Sequence, residues 1–227
     1  MGSVRHLAFI VGGTKAYVAQ EGVTLEQAYA CKFDNVKRVV EECVVLDVPV
    51  MTFLLLPQHI QSHNDYPTVV DSLTRFLDDL RSWPLLGQHR IKVAVFGHWY
   101  NVPGRLVDAV KKLIEETKDH DAFFFNICLN YDGKQEMVDA ARIIAQQVRS
   151  GKLDPDGISA ATIKDAIYTS ALVPPDIIIK TGMSKTLSGF MLWDGTEAHL
   201  HMTGRPWQQF SPAALQDVIK EYAATRH

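Results

Sequence analysis

Nothing in this chain resembles a linker: it has no Ser/Gly-rich run, no block of like charge, no low-complexity tract and no internal repeat. At 227 residues, a chain without such a seam is expected to form a single α/β domain, residues 1–227, rather than two small ones. Cysteine is scarce. Cys31, Cys43 and Cys128 are far apart and odd in number, which excludes a disulfide framework using all three and offers no zinc-type spacing. Long apolar runs are missing too. The stretch from Val44 to Leu56 is interrupted by Asp47 and Pro49 and falls short of the roughly 20 residues a bilayer span needs. The apolar run in the opening MGSVRHLAFIVGG is too short for a signal-peptide core and carries no cleavage pattern. No transmembrane segment is expected, and the reading is cytoplasmic. A net charge of -3 leaves no electrostatic footprint for a nucleic-acid partner.

What is present is an ordinary globular balance, 47% apolar and 22% charged, organised as short apolar runs alternating with longer amphipathic ones. Leu7–Val11, Val50–Leu56, Ile91–Phe96, Ala122–Leu129 and Asp176–Thr181 read as buried strands, and Phe190–Trp193 as the start of a sixth. Between them, Leu25 to Val45 places Ala28, Phe33, Val36, Val40 and Cys43 at helical spacing. Val69, Leu73, Phe76, Leu77 and Leu80 mark one stripe of another helix. Further helices are expected over Arg105–Thr117, from about Lys134 to Val148, and from Ser211 onward, where Pro212 occupies the first turn. Continuous apolar strands alternating with helices imply a mostly parallel sheet of about six strands covered on both faces. Ligands in such sheets sit beyond the carboxyl ends of the strands. The segments of interest are therefore Gly12–Tyr17, Pro57–Tyr66, His98–Val102, Asn130–Lys134 and Lys180–Ser188.

Taken in order, those segments resemble the cis-prenyltransferase signature. His6 and its strand lead into Gly12-Gly13-Thr14-Lys15-Ala16-Tyr17, where the family has Asp-Gly-Asn-Gly-Arg-Trp. Asn130-Tyr131-Asp132-Gly133-Lys134 with Val138-Asp139-Ala140 is similar to the family's middle motif. Pro175-Asp176-Ile177-Ile178-Ile179-Lys180-Thr181, then Thr186-Leu187-Ser188-Gly189-Phe190-Met191-Leu192-Trp193, then Trp207 and Phe210 follow the family's carboxyl-terminal pattern. The resemblance runs from His6 to about Tyr222 and implies the undecaprenyl diphosphate synthase-like fold, a central parallel sheet flanked by helices with an apolar tunnel.

The resemblance also implies a chemistry: an allylic prenyl diphosphate ionises and its carbocation is captured by an acceptor. Gly12, Gly13, Thr14, Lys15, Lys180 and Ser188 fall at diphosphate-binding positions. Tyr17, Tyr29, Leu73 and Asn130 fall around the prenyl or acceptor pocket. His59, His63 and His98 lie at expected strand ends and are the candidate general bases; His98 occupies a family Asp position. Mg²⁺ is implied as cofactor, but its acidic anchor in the first loop is here Gly12, and the family's metal-binding Glu corresponds to His199, which with His201 is the remaining metal candidate. Ala16, Leu25, Tyr29 and Thr186 stand where the family has Arg, Arg, His and Arg, and no residue up to His227 supplies the family's Arg-x-Gly tail. The pattern resembles the branch that makes irregular, branched prenyl diphosphates, notably over Gly22–Glu26 and Tyr29-Ala30. Two functions follow. One is a prenyltransferase with a non-standard acceptor, an aromatic metabolite or a second allylic unit. The other is a non-catalytic subunit of a heteromeric enzyme. A homodimer or a heterodimer with a second homologue is implied in either case.

Each charge-assisted hydrogen bond lost from the diphosphate sites removes roughly 1.5–3 kcal/mol. Elongation with radiolabelled isopentenyl diphosphate by this chain alone is therefore expected to be weak or absent, and efficient incorporation would contradict the reading of the first loop.

Overall fold

A computed structural model of the protein describes residues 4–225; the amino-terminal Met-Gly-Ser and the chain end at His227 lie outside the described residues. The six strands are β1 (His6–Ile10), β2 (Val50–Pro57), β3 (Ile91–Phe96), β4 (Phe123–Tyr131), β5 (Ile177–Thr181) and β6 (His199–Thr203). They form one all-parallel sheet in the order β3-β4-β2-β1-β5-β6. The helices are α1 (Thr14–Glu21), α2 (Leu25–Val45), α3 (Tyr66–Arg81), α4 (Pro84–Gln88), α5 (Gly104–Thr117), α6 (Gly133–Arg149), α7 (Ala160–Ala166) and α8 (Pro212–Thr225). No helix among the described residues is long and apolar enough to cross a membrane.

β1 and β5 are buried along their whole length, as strands covered on both faces must be. On one face Phe9 and its register partner Phe53 stack at 4.4 Å, and Trp207 packs edge-on to both. α2 starts cleanly because Thr24 and Gln27 form a capping box, each side chain accepting the other's backbone N–H. Its buried stripe meets that of α3, where Phe33 and Phe76 stack at 4.7 Å. The first strand leads one way to β2, and the chain later crosses β1 to build β5 on its other side. Carboxyl ends flanking such a reversal are where a crevice opens.

Phe190–Trp193 is not a strand. Those residues form a turn in which Ser188 and Met191 have φ of +52° and +46°, and Phe190 and Met191 bury against Tyr131 rather than pairing in the sheet. The sixth strand follows, at His199–Thr203, as a half-exposed edge. α1 carries no buried residue and α7 none either, so neither had an apolar stripe to read.

His6 is fully buried in this sheet. Its Nδ1–H donates to the Val173 carbonyl at 2.6 Å and its Nε2 accepts from Thr52 Oγ1 at 2.8 Å, which requires the neutral ring. Burial pushes its pKa down to about 4, against opposing contributions from the Val173 hydrogen bond and from Asp176. A depressed histidine pKa means that the unfolded chain takes up a proton first as pH falls. Stability is thus retained above about pH 6.5 and declines between about 6.5 and 4, by about 3 kcal/mol in all. Urea midpoints across that range should fall for the native chain. In His6→Gln, less stable overall, the decline should be shallower; an identical slope would remove His6 as its source.

Candidate diphosphate site

At the carboxyl ends of β1, β2 and β5 lies a cavity of about 470 Å³. Its floor is the loop from β1 into α1. Gly13 adopts φ +94°, and an ideal Cβ there would come within 2.7 Å of Pro206 Cα, so only glycine fits. No side chain caps α1, which leaves the first-turn N–H groups without an intrahelical partner at an end that favours anions. The opposite wall is apolar. β2 slips register against β4 around Leu56, as at a bulge, and this irregular stretch, Leu54–Pro57, lines the cavity with Ile60 and Val69.

Most of the residues singled out from sequence meet here. Gly12, Gly13, Thr14, Lys15, Lys180, Ser188, Tyr29, His59 and His63 all line the cavity, and the two histidine rings lie 5.7 Å apart. The others are elsewhere. Tyr17 contacts Cys31 through its hydroxyl, 3.4 Å from Sγ. Leu73 is sealed in the core, while the Phe33–Phe76 stack joins α2 to α3. Asn130, at φ +48°, donates its amide N–H to the His98 carbonyl and accepts the His98 backbone N–H. His98 itself belongs to a separate cluster. Its Nε2–H donates to Asp139 Oδ2 at 2.7 Å, the Tyr168 hydroxyl donates to the same oxygen, and Gln135 and Arg142 donate to the other. Burial would raise the Asp139 pKa, but the Tyr168 and His98 donors outweigh it and hold the carboxyl below its ordinary range.

The charges in the cavity are lysines. Lys15 is 75% exposed and ion-paired with Asp65 at 3.1 Å, a rim contact worth little in water. Lys180 is only 5% exposed; its ammonium donates to the Thr181 carbonyl at 2.7 Å, and burial lowers its pKa. Lys32 was not among the candidates read from sequence. It is 6% exposed, lines the same cavity, and sits 5.4 Å from the Tyr29 ring centroid. Burial alone takes its pKa down to about 8. The signal was in the sequence: Lys32 is one turn beyond Ala28 and one before Val36, in phase with the buried stripe of α2.

Mg²⁺ demands hard oxygen ligands, one or two of them carboxylates. The cavity lining contains no Asp or Glu. A Cβ on residue 12 would lie 2.6 Å from the Thr181 carbonyl oxygen and 3.0 Å from Lys180 Nζ, so backbone and an ammonium fill the space an acidic side chain there would enter. His199 pairs with Ile177 at the amino ends of their strands and packs near Tyr222, His201 sits beside Glu221, and neither lines the cavity. No group of three His, Cys, Asp or Glu among the described residues is disposed to hold a metal. The residues present do not fit the ion.

The family described as "Putative undecaprenyl diphosphate synthase" matches residues 10–227. A tritrans,polycis-undecaprenyl-diphosphate synthase (geranylgeranyl-diphosphate specific) from Methanopyrus kandleri is 30% identical over 224 residues, spanning 96% of this chain and 81% of that protein. An isoprenyl transferase from Prochlorococcus marinus is 26% identical, spanning 97% of this chain and 83% of its own. The fold matches that of lavandulyl diphosphate synthase from Lavandula x intermedia, solved with dimethylallyl diphosphate, at a TM-score of 0.92 and 24% identity, covering 97% of this chain and 95% of that one. The chain belongs to the undecaprenyl diphosphate synthase family.

The loop geometry predicts a graded response to alanine. Gly13→Ala combines a positive φ with a backbone collision and should cost roughly 2–4 kcal/mol. Gly22→Ala, at φ +66° with nothing within 4 Å, should cost only about 1 kcal/mol. Denaturant unfolding checks both, and equal costs would contradict the packing described.

Proposed function

We propose that this member of the undecaprenyl diphosphate synthase family is a prenyltransferase that binds an allylic prenyl diphosphate in the α1 cavity and transfers the prenyl group to an acceptor other than isopentenyl diphosphate. The supporting observation is a single cavity that joins an uncapped helix start and buried ammonium groups to a wall of leucines, Ile60 and Val69. That is a diphosphate beside an apolar chain in negative relief. A cavity of about 470 Å³ favours a short allylic donor.

The lining offers three lysines and no arginine, one of them already paired with Asp65. Such a charge suits one diphosphate better than two, which favours an acceptor without its own, an aromatic metabolite, over a second allylic diphosphate. The donor's C–O bond breaks with its electron pair leaving on the diphosphate oxygen. An acceptor π pair forms the new carbon–carbon bond, and a proton then leaves the substituted carbon to restore unsaturation. Preorganised N–H groups and ammonium ions stabilise the leaving charge, and His59 or His63 takes the proton.

A second reading, the non-catalytic subunit, draws on another surface. Between α6 and α7 runs an apolar groove of about 620 Å³ that includes Ile144, Val148, Ile158 and Trp193, with Val138 and Ile143 also exposed on α6. It would serve a homodimer as well as a heterodimer, so it favours assembly without deciding between them.

Incubation of the chain alone with dimethylallyl, geranyl and farnesyl diphosphates and an aromatic acceptor should release diphosphate, fastest with the shortest donor. His59→Ala combined with His63→Ala should lower kcat about a hundredfold while leaving the donor KM nearly unchanged. No release without a second polypeptide would favour the subunit reading.

A further inference from the structure

Lys32 and Lys180 pose a physical question that the family fold does not answer. Both side chains are more than nine-tenths buried, both line one cavity, and burial is the only influence on either pKa, with no carboxylate contributing. Burying an ammonium without a counter-charge is costly, and this cavity carries that cost at two positions. Lys180 has the Thr181 carbonyl as its hydrogen-bond partner, and the Lys32 ammonium lies over the Tyr29 ring, 5.4 Å from its centroid, with no ion pair among the described residues. Neither arrangement neutralises a full charge. Apolar side chains of similar length would be more stable at both positions.

We propose that these two lysines take the place of a divalent cation, so that the cavity binds the diphosphate without metal. The inference rests on the cavity being the diphosphate site and adds how the charge is met there. Lys180 Nζ lies 3.0 Å from where a Cβ of residue 12 would stand, so a protein cation occupies the position from which an acidic side chain would otherwise reach for a metal. Lys32 enters from α2, in the wall shared with Tyr29. The α1 start, in the same lining, supplies N–H donors. Point-charge ammonium groups suit a diphosphate, whose oxygens accept from several directions. The absence of any carboxylate from the lining then becomes intelligible, since one would compete with the ligand for both lysines.

The test is calorimetric titration of the full chain with inorganic pyrophosphate and, separately, dimethylallyl diphosphate, each in excess EDTA and again with Mg²⁺. Both ligands should bind in EDTA with affinity equal to or greater than that with Mg²⁺, since complexed ligand carries less charge for the lysines. Lys32→Met and Lys180→Met should each weaken pyrophosphate binding by about tenfold or more. The same two variants should raise the melting temperature of the empty protein, a result that a merely structural lysine would not produce. Binding that requires Mg²⁺ overturns the inference and leaves the proposed function standing. Binding in EDTA that both Met variants retain also overturns it. Failure of both ligands in both conditions would overturn the inference together with the reading of the cavity.

Discussion

The site depends on how one tryptophan ties the first loop to the second helix. The Trp207 backbone N–H donates to the Gly12 carbonyl at 2.9 Å, and its indole N–H donates to the Lys32 carbonyl at 3.0 Å. Asn35 then donates from its side-chain amide to the carbonyls of Trp207 and Phe210. Trp207 is fully buried against Phe9 and Phe53, so these bonds form away from water, where leaving any partner unmade is expensive. The loop proposed to cradle an anion and the helix that carries Lys32 are thereby held by the same side chain. Gly13 and Gly182 close the arrangement: a Cβ on either would strike the other's loop or Pro206.

The architecture was legible because its elements are strongly periodic. Leu25–Val45 was read to the residue, and five of six strands fall where continuous apolar runs place them. The sixth failed for a physical reason. Phe190 and Met191 are buried, which makes them look like strand, yet the chain reaches them through positive φ angles that composition does not reveal. The true edge strand, His199–Thr203, is half exposed and polar enough to look like loop. At the site, the loop, Lys180, Ser188 and the two histidines after β2 converge because all follow strand carboxyl ends. Asn130 and His98 belong to the ends of β4 and β3, on the far side of β2 from β1 and β5, which order along the chain does not reveal. Tyr17 instead lies within α1 with its hydroxyl on Cys31. Lys32 was missed because a lysine in an apolar stripe is easily taken for an interruption rather than a buried charge.

The electrostatics of the cavity reverse what an acidic, metal-dependent centre would need. Carboxylates are absent from the lining, and two buried ammonium groups with an uncapped helix start take their place. On the proposed reading such a site is destabilising when empty and is relieved by an anion, so its cost to folding and an affinity for diphosphate would come from the same charges. The neighbouring leucine wall would add selectivity for an apolar tail without adding charge. The relatives are prenyltransferases, and the lysines distinguish how this chain would carry out such chemistry.

The most direct measurement is an amide and lysine side-chain ¹⁵N NMR titration with pyrophosphate. The account predicts saturable shifts at the backbone amides of Thr14, Lys15 and Ala16 and at the Nζ of Lys32 and Lys180. Saturable shifts confined to another part of the surface, or none at the start of α1, would contradict it.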